Sequence, residues 1–354
     1  MIKVVVVDDS AFMRKAIQTM LEKDPEIKVV GIAKNGEEGL EKIRELEPDV
    51  VTLDIEMPKM DGLTALRHIM MEMPRPVLMV SSLTTEGAEA TLKALELGAV
   101  DFIPKQLSRV SLDIIKIEED LRFKVRAIAG RKIRPVRPRV PAPAKPEAAE
   151  RKEKYVKPSG PQRRDVVAIG VSTGGPPAVQ ELLSGLPADF PAGILIAQHM
   201  PAAFTGPFAK RLDGTCALQV KEAEDGERFV PGTVYVGQGG RHLKIDQKVT
   251  HIRVVVSDEP RDALYKPSVN VLMDSVAEGV GRRALAVILT GMGYDGREGV
   301  RALKQKGGRA LAQSDETCVV YGMPKAIVEA DLADGIVDIG DMAEAVVRGL
   351  YIGE

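Results

Sequence analysis

Five side chains able to handle a phosphoryl group fall at the ends of successive apolar runs within residues 1–105. Asp8 and Asp9 close the run Lys3 to Val7, Asp54 closes the run that begins at Val50, Ser81 follows Val77 to Val80, and Lys105 follows Val100 to Ile103. In open parallel sheets, functional groups collect just beyond the carboxyl ends of the strands. Three carboxylates gathered there repel one another unless a hard cation such as Mg²⁺ is held between them by oxygen ligands. Such a metal also neutralises an incoming phosphoryl group, so that one carboxylate can act as its nucleophile. The Ser81 hydroxyl can donate to a phosphoryl oxygen, and Lys105 can pair with the same group. An acidic pair at a strand end is also a common solvated cap. It is the joint placement of Asp, Asp, Ser and Lys at four strand ends that points to chemistry.

A second constellation lies further along. Gly170-Val171-Ser172-Thr173-Gly174 fits G-x-S-x-G, a sharp strand-to-helix turn that presents a serine hydroxyl near a helix N-terminus. The competing reading is a glycine-rich phosphate or dinucleotide loop, but neither G-x-G-x-x-G nor G-x-x-x-x-G-K-[ST] occurs here. A serine nucleophile needs a base, and the chain has four histidines, His68, His199, His242 and His251. His199 follows the apolar run from Gly193, which places it at the same sheet edge as Ser172 and makes it the favoured base. His242, in a glycine-rich stretch, is a looser candidate that hydrogen-bonds locally or borders the cleft. His68 reads as a surface residue, and His251 as a structural one in a strand-like run. The orienting carboxylate is expected from a third strand end: Ala284 to Thr290 is a buried strand, and G-M-G-Y-D-G then puts Asp295 in a glycine turn, where its competing role is a turn cap. The order Ser, His, Asp differs from that of α/β-hydrolases, but geometry and not order makes a triad.

The elements that must position these groups are legible as two α/β bodies and a tether. Before residue 126, five apolar runs (Lys3 to Val7, Lys28 to Ala33, Val50 to Asp54, Val77 to Val80, Val100 to Ile103) alternate with helical spacing such as Phe12 to Glu22 and Thr85 to Leu97. Five βα units imply a parallel sheet covered on both faces. From residue 164 the alternation resumes at Val166 to Gly170, Gly193 to Ala197, Val234 to Gly237 and Ala284 to Thr290, with an antiparallel excursion around Arg241 to Val256. The expected domains are therefore 1–125, a linker at 126–163, and 164–354. Residues 131–164 contain seven prolines and carry +9 net charge, against −5 before and −6 after, so the total of −2 is the sum of two acidic bodies and a basic tether. Such proline density predicts an extended, solvated segment.

Composition excludes several function classes. Aromatics are 4% with no Trp, too few for a base-stacking nucleic-acid surface. The +9 segment motivates one alternative, a nucleic-acid-binding output, but its prolines forbid a recognition helix. No nucleic-acid partner is expected. Cys216 and Cys318 fit neither a disulfide framework nor a zinc site and suit a reducing, cytoplasmic compartment; Cys318 reads as a small buried residue. The opening M-I-K-V-V-V-V-D-D predicts a strand and no secretory leader. The longest uncharged stretch, Phe190 to Ala209, is broken by prolines and glycines, so the chain is not expected to be membrane-embedded.

The segments V-V-V-V-D-D-S-A-F-M-R, V-V-T-L-D-I-E-M-P-K-M-D-G and M-V-S-S-L-T with Lys105 resemble the receiver domain of two-component response regulators. The resemblance implies a flavodoxin-like fold, phosphorylation of Asp54 by a histidine kinase, Mg²⁺ held with the help of Asp8 and Asp9, and a switch role for Ser81, Phe102 and Lys105. Gln106 departs from the proline that usually follows the lysine, while Pro104 precedes it. The segments G-V-S-T-G-G-P, A-Q-H-M-P, G-G-R-H-L, K-P-S-V-N-V-L-M-D-S, I-L-T-G-M-G-Y-D-G and D-E-T-C-V-V-Y-G-M-P resemble the catalytic domain of the chemotaxis methylesterase CheB family. That resemblance implies Ser172 as nucleophile, His199 as general base and acid, Asp295 as the residue holding the imidazole, Thr173 as support for the histidine and the Met292 N–H as an oxyanion donor. It further implies methylated glutamates of methyl-accepting chemotaxis receptors as substrate, glutamine deamidation as a second activity, and no cofactor for the esterase reaction. Asn270 and Tyr294 stand where the family often has aspartate and asparagine, at positions the triad does not need.

Overall fold

The computed structural model describes residues 1–105, 111–130 and 160–351, and the chain divides into two compact units, Met1–Ala142 and Pro143–Glu354. The prolines and basic residues of 131–159, like Gln106, lie outside the described residues.

The first unit alternates strand and helix: β1 (Ile2–Val7), α1 (Ala11–Leu21), β2 (Ile27–Ala33), α2 (Gly36–Leu46), β3 (Val50–Asp54), α3 (Gly62–Glu72), β4 (Val77–Ser81), α4 (Thr85–Glu96), β5 (Asp101–Pro104) and α5 (Ser111–Ile128). The strands form one parallel sheet in the order β2-β1-β3-β4-β5, the flavodoxin-like order whose switch point lies between β1 and β3. Val4 to Val7 and all of β3 and β4 are buried, as continuous apolar strands covered on both faces must be. Each of α1 to α4 begins with a side-chain cap, from Ser10, Asn35, Asp61 and Thr84, which satisfies an N–H that the first turn leaves open. Helix α5 runs on through Ile128, past the end of the five βα units at residue 125.

The second unit contains β6 (Val166–Val171), α6 (Gly175–Ser184), β7 (Gly193–Gln198), α7 (Ala202–Thr215), β8 (Gln219–Glu222), β9 (Thr233–Val236), β10 (His242–Gln247), β11 (Ile252–Ser257), α8 (Val269–Gly279), β12 (Ala284–Ile288), α9 (Arg297–Gln305), β13 (Arg309–Gln313), α10 (Met323–Val328), β14 (Gly335–Val337) and α11 (Ile339–Tyr351). Seven strands make a parallel sheet in the order β14-β13-β12-β6-β7-β9-β8, and β10 pairs antiparallel with β11 as a separate ribbon. The antiparallel excursion is thus a two-stranded sheet of its own, packed on α8. Strands β8, β13 and β14 have no counterpart among the apolar runs; β8 is the mixed Q-V-K-E at one edge, and β14 at the other has only three residues. The core gathers Val166, Ala168, Leu195, Leu243, Val254, Val269, Met273 and Ile288 between sheet, ribbon and α8. Chain order reverses direction across the sheet at β6, with β7 on one side and β12 on the other. The carboxyl ends of these three strands therefore flank a switch point, where open α/β sheets form their crevice.

Candidate functional site

In the first unit the sheet brings the predicted acidic group together. One ligand oxygen each from Asp8, Asp9 and Asp54 lies within 4.8 Å of the others; Asp8 and Asp54 are buried and Asp9 is exposed. Lys105 Nζ reaches Asp54 Oδ2 at 2.6 Å and Asp8 Oδ2 at 3.1 Å. The Ile55 N–H donates to Asp54 Oδ1 at 2.7 Å and the Ser10 N–H to Asp8 Oδ1 at 2.9 Å. Burial pushes the Asp54 carboxyl up to about 6; Lys105 pulls it down and Asp8 adds to the rise. Lys105 is itself held above its ordinary value, burial being outweighed by its bonds to Asp54 and Asp8. Two buried carboxylates and one exposed one, all offering hard oxygen ligands, fit a Mg²⁺ ion.

Two further residues of the first unit, Ser81 and Phe102, have partners that their sequence positions do not reveal. The Ser81 hydroxyl bonds α4: it donates to the Gly87 carbonyl (3.2 Å) and accepts from Thr91 Oγ1 (2.7 Å). Phe102 is buried, with Lys124 Nζ 5.7 Å from its ring centroid and bonded to its carbonyl at 2.9 Å. Asp101, at 3.0 Å, completes a buried ion pair with Lys124 that no strand-end argument singles out.

In the second unit Ser172 and His199 follow adjacent strands. Val171 and Gln198 are register partners, and the His199 N–H donates to the Val171 carbonyl at 3.1 Å. Gln198, buried, ties the two turns by donating from Nε2 to the Ser172 carbonyl (3.0 Å) and the His199 carbonyl (3.2 Å). On the other side of β6, the Ser172 N–H donates to Thr290 at the end of β12, at 3.0 Å. Gly174 caps α6 at φ +75, a conformation costly for a side chain, and a Cβ there would run into Val319. Gly291 is required by proximity: a Cβ on it would lie 2.9 Å from Ser172 Cβ and would overlap Met323 Sδ.

Asp295 reaches the histidine from the turn after β12. Its Oδ2 accepts from His199 Nε2 at 2.9 Å and from the Val269 N–H at 2.7 Å; its Oδ1 accepts from Ser268 Oγ at 3.0 Å and the Asn270 N–H at 2.9 Å. The carboxylate therefore sits on the N-terminus of α8, where free N–H groups and the helix dipole favour negative charge. Burial pushes its carboxyl up, but the His199 bond and charge, with the two N–H bonds, outweigh burial and hold it below the usual range. Asn270 Oδ1 accepts from Gly296 N (2.9 Å) and Gly299 N (3.0 Å), which locks the Asp295 turn and the start of α9 to α8. The other imidazole nitrogen, His199 Nδ1, is buried and has no hydrogen-bond partner. With a carboxylate on Nε2, the proton belongs on Nε2 and the lone pair on Nδ1.

Thr173 is buried, and its carbonyl accepts from Thr290 Oγ1 at 2.9 Å. Among the described residues neither the Thr173 N–H nor the Met292 N–H donates a hydrogen bond. His242 hydrogen-bonds locally: fully buried, it donates from Nε2 to the Pro260 carbonyl (2.9 Å) and accepts the Ser268 N–H on Nδ1 (3.2 Å). His251 lies between β10 and β11, outside either strand, beside Thr250, and His68 is an exposed partner of Glu72. Both cysteines are buried and neither is in a disulfide. Tyr265, which no motif singled out, stacks on the His199 ring with centroids 4.2 Å apart and planes 12° from parallel.

The family models divide the chain as the sheets do. Residues 4–115 match the response regulator receiver domain and residues 167–346 match CheB methylesterase. A protein-glutamate methylesterase/protein-glutamine glutaminase of Nitratidesulfovibrio vulgaris is 70% identical over 99% of this chain and 100% of its own length. This chain belongs to the CheB methylesterase family. A protein of the same designation from Lawsonia intracellularis is 57% identical, over 99% of this chain and 100% of its own. The crystal structure of the Thermotoga maritima CheB methylesterase catalytic domain shares 40% identity with a TM-score of 0.51, covering 52% of this chain and 98% of that domain. A nucleic-acid-binding output has no place in this family match, because the second unit is the methylesterase domain. Among the described residues no helix is long and apolar enough to cross a membrane.

Proposed function

We propose that this chain hydrolyses glutamate γ-methyl esters on methyl-accepting chemotaxis receptors in the cytoplasm, and deamidates receptor glutamines by the same route. The names of its relatives support the substrate class. The observation that carries the mechanism is the 2.9 Å bond from His199 Nε2 to an Asp295 carboxylate seated on a helix N-terminus, one strand from Ser172. Ser172 Oγ attacks the ester carbonyl while His199 Nδ1 takes its proton. The same nitrogen delivers that proton to methoxide oxygen as the C–O bond breaks and methanol leaves. Water then attacks the acyl-enzyme, its proton passing through His199 back to Ser172 Oγ, and free glutamate is released. Asp295 holds the Nε2–H tautomer and stabilises the imidazolium in both steps. The N–H groups of Met292 and Thr173 are the oxyanion donors, and loss of one such donor costs about 3–4 kcal/mol in comparable sites. Thr173 keeps the serine turn in place through Thr290.

The receiver, residues 1–125, regulates this activity in our reading. A histidine kinase phosphorylates Asp54, with Asp8, Asp9 and Asp54 holding Mg²⁺, which when bound neutralises charge on the transferred group. Ser81 must leave Gly87 and Thr91 to meet the phosphoryl oxygens, and Lys105 exchanges its Asp54 bond for one to phosphate. Phosphorylation then shifts the chain toward an active arrangement of the methylesterase domain, residues 164–354, across the tether 126–163. The test is methanol release from methylated receptor membranes by the full chain. Ser172→Ala is expected to abolish it, and Asp54→Ala to remove its stimulation by a small phosphodonor with Mg²⁺. Full methanol release by Ser172→Ala would overturn the nucleophile assignment.

A further inference from the structure

The segment between β11 and α8 is a strap with both ends fastened to one buried residue. His242 Nε2 donates to the Pro260 carbonyl at 2.9 Å, and His242 Nδ1 accepts the Ser268 N–H at 3.2 Å. The Gly240 N–H adds a bond to the Lys266 carbonyl at 3.0 Å, and Lys266 Nζ one to the Asp258 carbonyl at 3.1 Å. Both His242 nitrogens are used in the neutral form, and burial holds its pKa below the ordinary value, with Lys266 and Lys244 adding to the effect. Between the fastenings Leu264 is exposed, while Tyr265 turns its ring onto His199.

That stack supplies a constraint the Asp295 bond cannot. A single hydrogen bond at Nε2 fixes one edge of the imidazole and leaves the ring free to tilt about that contact. A nearly parallel ring at 4.2 Å fixes its plane, and with it the direction of the Nδ1 lone pair. The face of an aromatic ring also favours the cation that forms when Nδ1 takes a proton. Among the described residues Asp295 is the one charged side chain in ion-pair contact with His199, so the ring face acts on an otherwise simple electrostatic setting.

We propose that Tyr265, carried by the strap that His242 fastens, is a positioning residue for His199 and acts through its ring face. The proposal rests on His199 being the base. The full chain, with phosphodonor and Mg²⁺, is compared as wild type, Tyr265→Phe and Tyr265→Leu; leucine keeps apolar cover but has no ring face. From the usual worth of an aromatic pair, Tyr265→Leu is expected to lower kcat by about tenfold with little change in KM, and to move the acid limb of the kcat/KM profile to lower pH. Tyr265→Phe is expected to stay within about twofold of wild type, since it retains the face. Independently of activity, NMR of the chain carrying labelled histidine should show one of four ring signals shifted upfield in wild type and Tyr265→Phe, and released in Tyr265→Leu. A leucine variant with wild-type kcat and acid limb, or a phenylalanine variant as impaired as leucine, overturns the proposal. Full methanol release by Ser172→Ala would instead undo the Ser172–His199 mechanism while leaving the ring shift in place, so the two failures are distinguishable.

Discussion

Replacing Asp295 by asparagine tests the site at its most constrained atom pair. All four groups around the carboxylate are donors: His199 Nε2–H, Ser268 Oγ–H and the N–H groups of Val269 and Asn270. An amide offers one oxygen, and its NH₂ must face either Val269 with His199 or Asn270 with Ser268. Each orientation leaves one backbone N–H opposed to a donor, at about 1–3 kcal/mol, and removes charge from the remaining bonds, so a stability loss of roughly 3 kcal/mol is expected. For catalysis the two orientations differ in cause. With NH₂ toward His199 the imidazole must reverse its tautomer, which puts the proton on Nδ1 and leaves no base for Ser172. With oxygen toward His199 the tautomer survives but the imidazolium loses its anion, worth about 4 kcal/mol at 4 Å in a medium of effective dielectric 20. That figure corresponds to about 10³-fold in rate, and tautomer reversal brings the loss toward about 10⁴-fold. Methanol release by the full, phosphodonor-treated chain measures the rate, and thermal unfolding reports the stability. An Asp295→Asn chain that remains within about tenfold of wild type would refute the assignment of Asp295.

Other substitutions test separate parts of the structure. Gly291→Ala places a Cβ 2.9 Å from Ser172 Cβ; displacing the serine should lower kcat about 100-fold, measured by methanol release, with a smaller effect on unfolding temperature. Asn270→Ala strips the acceptor from the Gly296 and Gly299 N–H groups and should cost about 2 kcal/mol in denaturant unfolding. In the receiver, folded Asp54 titrates near 6 against about 3.9 in an unfolded chain. The folded state therefore binds the extra proton between these values, and the stability of wild type relative to Asp54→Asn should fall as pH rises from about 4 to 6, by up to roughly 3 kcal/mol. Added Mg²⁺ should reduce that slope by favouring the carboxylate; a difference independent of pH would show that Asp54 is not buried as described.

Much of this protein could be read before any coordinates because strand ends are visible in a sequence. An apolar run of five or six residues followed by Asp-Asp, Ser or His marks both an element and the edge at which its chemistry sits, and parallel sheets place those edges together. Asp8, Asp9, Asp54 and Lys105 could thus be grouped from spacing alone, as could Ser172, His199 and Asp295. Short or polar strands were not legible: β8 reads Q-V-K-E and β14 has three residues, so only pairing with a neighbour makes them strands.

What local pattern carries is type and edge; what it omits is the direction a side chain takes when several partners compete. Ser81 ends its strand as expected, yet its hydroxyl bonds α4 through Gly87 and Thr91, while Lys105 pairs with the carboxylates. Asp295 follows β12, but the N–H groups that hold its charge come from α8, which the chain reaches before β12. The choice of Nε2 for the carboxylate and Nδ1 for the open lone pair follows from that convergence. Tyr265 meets His199 from a segment whose two ends bond to His242, a convergence that no local pattern marks. Sequence determined which groups arrive at the two sheet edges. Tertiary structure decided which atom of each is free to react, since hydrogen bonds and ring contacts between distant segments set that choice.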